Sequence, residues 1–246
     1  MIDDSHRPSH QVHQGRTLSL YFAYGSNLSL EQMAARCPES RYIGLARLHD
    51  FRWQINQRGV ANVVPKRGSV VEGLCYLLSR GDEARLDKNE GVPIAYVKQQ
   101  EEVELFTASG TIVGRQVKEI IDHDLVSRLQ VKPAEGSSNL QPAGLNKFCA
   151  HPKSHKDRDE RSGDGKKLKK IEGERVTALV YISPVHILDG PPRSEYVKRM
   201  NRAIANGIVL GMSQQYVDET MRRYIKEDRG TKLETSIRPA LTLGKM

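Results

Sequence analysis

The sequence has few cysteines and no long apolar run, and each shortage excludes a class of protein. Three cysteines occur among 246 residues, at Cys37, Cys75 and Cys149. They are too few and too scattered for a disulfide framework, and the odd number fits a reducing, cytoplasmic compartment. No window of 18 apolar residues exists, so we expect no membrane-spanning helix. The first 17 residues contain no apolar h-region, so we expect no secretory signal either.

Apolar residues make up 38% of the chain, which is low for a globular protein. That fraction suffices for a core formed by about 150 to 180 residues if the remainder is solvated. The net charge of +8 would suggest a nucleic-acid partner if the basic residues formed a stripe on a fold. However, residues 128–175 hold twelve Lys or Arg and seven Asp or Glu in a low-complexity stretch. We therefore do not expect this stretch to contact nucleic acid.

Several common catalytic motifs are also missing. The sequence has no Walker or dinucleotide-binding glycine pattern, and no Gly-x-Ser-x-Gly elbow surrounds a serine. Cys149, His151 and His155 are residue types that bind metals, but they lie in a basic run without a fourth ligand. We expect no metal and no other cofactor.

The most informative stretch is residues 18–28, LSLYFAYGSNL. Its apolar beginning predicts a buried strand that breaks at Gly25. Ser29, followed by Gln32 at capping-box spacing, predicts that a helix begins directly after this turn. Amide N–H groups at such a helix start are suited to hold an anion or a carbonyl oxygen. On spacing alone, however, an ordinary strand–turn–helix joint is the simpler interpretation.

The rest of the chain predicts an α+β fold, because strands and helices do not alternate regularly. Apolar patterns predict further strands at residues 41–55, 60–65, 69–79, 95–107, 111–121 and 175–183. A turn at residues 66–68 is expected to join the second and third of these, and a hairpin turn at residues 108–110 to join the fourth and fifth.

Three helices are predicted in addition to the one after Ser29. The first covers residues 82–90 and is stopped by Gly91. The second covers residues 195–206 and is capped by Gly207, and the third begins at Ser213.

Three segments show no sustained hydrophobic period. We expect residues 1–16 to be a disordered tail, residues 123–173 a disordered basic insertion, and residues 228–246 a loosely attached tail. A single domain, residues 17–227, would then be interrupted by the insertion.

Residues 21–28, YFAYGSNL, resemble the N-terminal signature of the γ-glutamyl cyclotransferases, and two later segments resemble the same family in the same order. Residues 86–92, LDKNEGV, are similar to its LD-x-x-EGV segment, and residues 194–198, SEYVK, to its tyrosine-containing segment at the start of a late helix. The glutathione-specific branch typically has YGSL and the γ-glutamylamine branch YGTL. Asn27 therefore indicates the branch that acts on γ-glutamyl amino acids.

The resemblance implies a mixed, largely antiparallel β-barrel surrounded by short α-helices, with a cavity at the barrel. It also implies a small-molecule substrate, a γ-glutamyl amino acid. The α-amino group of this substrate attacks its own γ-carbonyl, which gives 5-oxoproline and a free amino acid without a cofactor. A homodimer is a further expectation from relatives.

In that family the glutamate of LD-x-x-EGV is the catalytic acid/base, and here it is Glu90. At the end of a helix, partial burial and the helix dipole would raise its pKa toward neutrality. Without the resemblance, a solvated glutamate before a C-cap glycine would be the expectation. The implied substrate-binding residues are Tyr21, Phe22, Ala23, Tyr24, Gly25, Ser26, Asn27 and Tyr196. Core packing is the alternative for the tyrosines.

Two alternatives of function stay open at this point. Within the enzymes, the chain could act on glutathione itself or on γ-glutamylamines. Outside them, it could be a non-catalytic binding protein on the same fold, held to an acidic partner or to nucleic acid by residues 128–175.

Overall fold

The computed structural model describes residues 18–107, 112–126 and 173–228. These ranges contain five strands: β1 (Ser19–Ala23), β2 (Arg41–Ile55), β3 (Ala61–Leu78), β4 (Val97–Thr107) and β5 (Glu174–Ile182). They close into a barrel with the order β1-β3-β2-β4-β5. Neighbouring strands are antiparallel except β1 and β5, which run parallel. The predicted α+β class and the largely antiparallel barrel are confirmed.

The strands and surrounding helices share one core of large apolar side chains. Phe22, Tyr42, Leu48, Leu74 and Tyr76 are almost completely buried. The rings of Tyr42 and Tyr76 meet edge to face, with centroids 6.0 Å apart. Because each buried side chain of this size contributes about 1.5 to 3 kcal/mol, this shared core holds the helices against the barrel.

The predicted strands at residues 60–65 and 69–79 are a single strand, β3, so the expected turn at residues 66–68 was wrong. β3 pairs with β2 along its length, with a register shift between His49 and Phe51. At this bulge Asp50 has φ 60° and Gly68 has φ 77°. The Gly68 N–H donates to Asp50 Oδ1 over 2.7 Å. Gly68 thus accommodates a β-bulge, whereas the sequence pattern suggested a reversal of the chain.

The predicted strand at residues 111–121 was also wrong, and with it the hairpin. The chain turns at residues 112–115 and forms a short helix, α3 (Val117–Asp122). Val117 and Ile120 are buried. They are three residues apart, so both lie on one face of a helix. Residues 108–111, which include the expected hairpin turn at residues 108–110, lie outside the described residues.

Two helices flank the region where β1 ends. α1 (Leu30–Arg36) has Ser29 as its N-cap, whose side chain accepts from the Gln32 N–H. α2 (Arg80–Glu90) begins after Ser79 and is ended by Gly91, which has a left-handed φ of 68°. Gly91 was predicted to stop this helix, and its position leaves Glu90 as the last helical residue.

The C-terminal part contains α4 (Ser194–Val209) and α5 (Gln214–Tyr216), which continues as a π-helical turn (Val217–Met221). The prediction that Gly207 caps α4 was wrong, because the helix continues to Val209. A Cβ atom on Gly207 would lie 2.4 Å from Met212 Sδ. The glycine therefore lets the Met212 side chain pack directly against α4. The predicted helix start at Ser213 is confirmed, since its hydroxyl accepts from the Tyr216 N–H.

The predicted tails and insertion lie almost wholly outside the described residues, as do Cys149, His151 and His155. Within the described ranges, no group of three His, Cys, Asp or Glu residues is placed to hold a metal ion. None of the described helices has the length and apolar character needed to cross a membrane.

Candidate active site

A cavity of about 150 Å³ opens where β1 leaves the barrel, between the end of α2 and the start of α4. Its lining combines aromatic hydroxyls, cationic side chains and one turn of backbone. The lining residues are Tyr21, Tyr24, Gly25, Ser26, Asn27, Arg36, Arg58, Val60, Ala61, Asn89, Glu90, Tyr96, Tyr181, Tyr196 and Arg199.

The turn that forms one wall is a single 3₁₀ turn, Ser26–Leu28, directly after Gly25. The Leu28 N–H donates to the Gly25 carbonyl over 3.0 Å, and the Ser29 N–H donates to the Ser26 carbonyl over 3.1 Å. A Cβ atom on Gly25 would lie 3.1 Å from the hydroxyl oxygen of Tyr196. Glycine at this position therefore permits the close approach of Tyr196 to the turn.

Two amides at the start of α1, where the sequence predicts an anion or carbonyl site, already have partners. The Leu30 N–H donates to Asn206 Oδ1 over 2.9 Å. The Gln32 N–H donates to Ser29 Oγ over 3.3 Å. The Gln32 side chain does not close a capping box. Instead its amide donates to Ser26 Oγ and Asn27 Oδ1, each over 2.7 Å, and so braces the turn.

Glu90 lies in the cavity wall with only 17% of its side chain exposed. One carboxylate oxygen, Oε1, accepts from Asn27 Nδ2 over 3.2 Å and lies 3.3 Å from an Arg36 guanidinium nitrogen. The other oxygen, Oε2, has no hydrogen-bond partner among the described residues. That oxygen is free to exchange a proton with a bound molecule.

Opposing influences act on the Glu90 carboxyl group. Burial raises its pKa above the ordinary value, because an ionised carboxylate is poorly solvated there. Arg36, the hydrogen bond from Asn27 and the charge of Arg199 all lower the pKa. The raised pKa agrees with the sequence prediction. Its main cause is desolvation, and the arginines could not be anticipated from the residues next to Glu90 in the chain.

Asn27 uses its whole side-chain amide within the protein. Its Nδ2 donates to Tyr21 Oη over 2.8 Å as well as to Glu90. Its Oδ1 accepts from Gln32 and, over 2.9 Å, from Arg36. Because both donor protons and the acceptor oxygen are engaged, Asn27 positions Glu90 and has little capacity left to bind a substrate.

Five tyrosines line the described part of the cavity, and burial raises the pKa of each. They are therefore neutral near pH 7 and act as hydrogen-bonding phenols. The Tyr24 hydroxyl donates to the Tyr181 carbonyl over 2.5 Å. The Tyr96 hydroxyl donates to the Ala61 carbonyl over 2.7 Å, and the Tyr181 hydroxyl donates to Asp87 over 2.7 Å.

Tyr196 differs from Tyr24, Tyr96 and Tyr181, because its hydroxyl accepts hydrogen bonds from the backbone of Ala61 and Ser26. Burial raises its pKa, and these two bonds limit the increase, so the pKa is about 12. A phenol oxygen that accepts from two backbone N–H groups still has its own proton to donate. Tyr196 is thus placed to donate to a molecule in the cavity.

Two residues of the predicted binding set do not line this cavity. Phe22 and Ala23 are completely buried in β1, where they pair with Cys75 and Leu74 of β3. Their backbone groups take part in the pairing of β1 with β3. Successive side chains of a strand point to opposite faces of the sheet. We therefore exclude Phe22 and Ala23 from the proposed binding set. The structure brings together the other predicted residues, Tyr21, Tyr24, Gly25, Ser26, Asn27, Glu90 and Tyr196.

Sequence reasoning missed the three arginines of the cavity. Arg36 ends α1, Arg58 lies between β2 and β3, and Arg199 lies on α4 one turn after Tyr196. The spacing of Tyr196 and Arg199 could have indicated a shared helix face. No local signal marks Arg36 or Arg58, since the fold brings them from separate elements.

The arrangement is suited to proton transfer on a small anionic molecule. Glu90 is the only carboxylate among the described lining residues, and its pKa is raised. Arginines and neutral phenols supply hydrogen-bond donors for carboxylates and for a developing oxyanion.

Comparison with known proteins points to one family. The profile described as "Gamma-glutamyl cyclotransferase, AIG2-like" matches residues 21–119. Gamma-glutamylcyclotransferase from Bos taurus is 34% identical over 83 residues, which are 30% of this chain and 44% of the relative. The protein of the same name from Mus musculus is 33% identical over 93 residues, 34% of this chain and 49% of the relative. The chain thus spans about half the length of the curated relatives it matches.

Two solved structures share the fold. An uncharacterized protein from Homo sapiens superposes with a TM-score of 0.51 at 19% identity, covering 86% of this chain and 90% of that one. A gamma-glutamyl cyclotransferase superposes with a TM-score of 0.51 at 18% identity, covering 87% and 92%. Residues 21–119 are thus similar to the gamma-glutamyl cyclotransferase, AIG2-like family, and the described residues share the fold of the solved gamma-glutamyl cyclotransferase.

Proposed function

We propose that this protein is a γ-glutamyl cyclotransferase that converts γ-glutamyl amino acids to 5-oxoproline and a free amino acid. The observation that carries the proposal is the placement of Glu90. A carboxyl group shielded from bulk water lines a small cavity beside the turn at Gly25, with one oxygen without a partner among the described residues. The names of the curated relatives supply the reaction class.

Glu90 acts first as a base and then as an acid. Its free oxygen accepts a proton from the α-ammonium group of the substrate, and the resulting amine attacks the γ-carbonyl carbon. A C–N bond forms within the glutamyl part, and the bond from the γ-carbon to the leaving nitrogen breaks. Glu90 returns that proton to the leaving nitrogen. The ring nitrogen releases a second proton, which the freed amine takes up through solvent as an ammonium ion, so the enzyme ends unchanged. The raised pKa of Glu90 suits both transfers near neutral pH.

Tyr196 stabilises the oxyanion that forms on the γ-carbonyl oxygen. Its hydroxyl proton is not used by the backbone groups that hold its oxygen. These hydrogen bonds fix the phenol before the substrate arrives, so little reorganisation is needed in the transition state. The cavity, by holding the glutamyl chain bent, brings amine and carbonyl within attacking distance.

A panel of three substrates tests the proposal. Purified protein is incubated with γ-glutamyl-L-alanine, glutathione or γ-glutamyl-lysine, and 5-oxoproline is measured by chromatography. We expect the highest kcat/KM with γ-glutamyl-L-alanine. Faster turnover of glutathione or of γ-glutamyl-lysine would replace the proposed substrate while keeping the reaction. No 5-oxoproline from any of them, in a folded protein, would favour a non-catalytic binding protein.

A further inference from the structure

The three arginines that line the described part of the cavity are not equivalent. The Arg36 guanidinium donates hydrogen bonds to Glu90 Oε1 and Asn27 Oδ1. Arg199 donates to both carboxylate oxygens of Glu195, each over 3.1 Å. The Arg58 guanidinium has no hydrogen-bond or ion-pair partner among the described residues. Arg58 is therefore the lining cation whose binding capacity is least used within the protein.

The backbone that carries Arg58 is held firmly. The Arg58 N–H donates to Asn56 Oδ1 over 3.0 Å, and Asn56 is completely buried. The Asn56 N–H donates to the Val60 carbonyl over 2.9 Å, and the Gly59 N–H donates to the Asn56 carbonyl over 2.8 Å. The Arg193 N–H, just before α4, donates to the Gly59 carbonyl over 3.1 Å. A half-buried cation on a braced turn can bind an anion at a low entropic cost.

The charge of the cavity leaves room for two anions. Three described arginines face one carboxylate there, and Arg36 already neutralises Glu90. A γ-glutamyl amino acid carries two carboxylates, one on the glutamyl part and one on the leaving amino acid. Arg58 can bind one of them. Arg199 can bind the other in place of its surface ion pair with Glu195, an exposed residue that does not line the cavity.

The position of each arginine relative to Glu90 decides which carboxylate it binds. Arg199 lies on α4 one turn after Tyr196, with its guanidinium carbon 5.1 Å from the centroid of the Tyr196 ring, and its charge lowers the pKa of Glu90. Arg58 lies instead on the turn between β2 and β3. Glu90 must meet the α-ammonium group, and the glutamyl α-carboxylate is attached to the same carbon atom. We therefore assign the glutamyl α-carboxylate to Arg199 and the carboxylate of the leaving amino acid to Arg58.

We propose that Arg58 is a specificity-determining residue that binds the free α-carboxylate of the leaving amino acid. The inference rests on the proposed function, since it assigns one end of the same substrate. It implies that substrates whose leaving group has this carboxyl group blocked, as an amide or within a peptide bond, are turned over poorly.

The test compares γ-glutamyl-L-alanine with γ-glutamyl-L-alaninamide, which differ only in the charge of the leaving group. Wild-type protein is expected to prefer the acid by at least about tenfold in kcat/KM, the effect of losing one charge-assisted hydrogen bond. Arg58→Gln should lower kcat/KM for the acid by a similar factor and change that for the amide by less than about threefold. Where turnover of the amide is too slow to measure, its inhibition constant against the acid takes the place of kcat/KM.

Arg67→Gln is the matched control, because Arg67 is exposed on β3 and does not line the cavity. It should leave both rates and the acid preference unchanged. Equal losses on acid and amide in Arg58→Gln, with a melting temperature like that of the control, would overturn the role of Arg58. So would a wild-type enzyme without preference. Both outcomes leave 5-oxoproline formation intact, whereas its complete absence in the wild type would refute the proposed function.

Discussion

At the scale of single residues, the site depends on how one carboxyl group is balanced. Burial favours the protonated form of Glu90, while Arg36 and Asn27 favour the ionised form through one shared oxygen. Neither influence alone would suit a group that must both accept and return a proton. The balance keeps the pKa raised without making the carboxyl group permanently neutral.

Replacement of Arg36 by Gln tests this balance. Arg36 lowers the pKa of Glu90, so its loss should raise that pKa further. Because Glu90 must be ionised to accept the substrate proton, the acidic limb of the kcat/KM profile should move to higher pH. Arg36→Lys, which keeps the charge, should restore part of the shift. An unchanged acidic limb in Arg36→Gln would show that this ion pair does not tune the catalytic base.

Tyr196→Phe removes the hydroxyl proposed to stabilise the oxyanion. We expect kcat to fall by at least about tenfold with a smaller change in KM, the pattern of a contact made mainly in the transition state. Steady-state kinetics on γ-glutamyl-L-alanine would measure both constants. Tyr42→Phe is the control, since Tyr42 is buried in the core and does not line the cavity. Equal kcat values for Tyr196→Phe and wild type would remove Tyr196 from the chemistry.

At the scale of elements, β1 must pack tightly against β3 to place the turn at Gly25. Gly73 of β3 makes this possible. A Cβ atom there would lie 2.4 Å from the Ala23 carbonyl oxygen and 2.7 Å from the Phe22 ring. The Ala23 carbonyl oxygen is a backbone atom, so it can be displaced only if β1 itself moves.

Gly73→Ala is therefore expected to destabilise the protein by about 1 to 3 kcal/mol, the usual cost of overpacking. Gly81, in the first turn of α2, is the matched control, because the nearest heavy atom to its added Cβ would be 3.7 Å away. Gly81→Ala should be neutral or stabilising by up to about 1 kcal/mol, since alanine favours helix. Urea unfolding gives both values. Equal stability of the two variants would refute the packing argument.

The elements differ in how well their sequences predicted them. β2 was predicted with the observed bounds, because apolar and polar residues alternate over most of its fifteen residues. β3 was divided in two because Lys66, Arg67 and Gly68 resemble a turn, and only the bulge opposite Asp50 explains them. α3 was taken for a strand because six residues are too few to separate a helical period from an alternating one.

At the scale of the whole molecule, only part of the site can be predicted from local sequence. The turn at Gly25, Glu90 and Tyr196 were found because each lies in a segment that resembles the family. The arginines come from α1, from the turn between β2 and β3 and from α4. Their convergence is a property of the closed barrel, and no pattern of neighbouring residues encodes it.

The cavity is built by segments on both sides of residues 127–172, within residues 21–96 and 181–199. We expect a chain in which residues 127–172 are replaced by a flexible Gly/Ser linker to retain 5-oxoproline formation within about threefold of wild type, since loop length costs little stability. Activity assays and thermal melts of both chains would test this. A folded but inactive linker variant would show that the replaced segment takes part in the reaction.

The most direct test of the central claim is the rate of 5-oxoproline formation by Glu90→Gln, with Glu219→Gln, an exposed helical glutamate, as the matched control. Burial raises the pKa of Glu90 above its value in the unfolded chain, so any contribution of this group to the free energy of unfolding is lost as pH rises. The neutral amide of Glu90→Gln should therefore not lower the melting temperature at pH 7. We predict that Glu90→Gln loses at least about a hundredfold in kcat on γ-glutamyl-L-alanine, as expected for removal of a general acid/base, while Glu219→Gln equals wild type. A folded Glu90→Gln protein that forms 5-oxoproline at the wild-type rate would contradict the account.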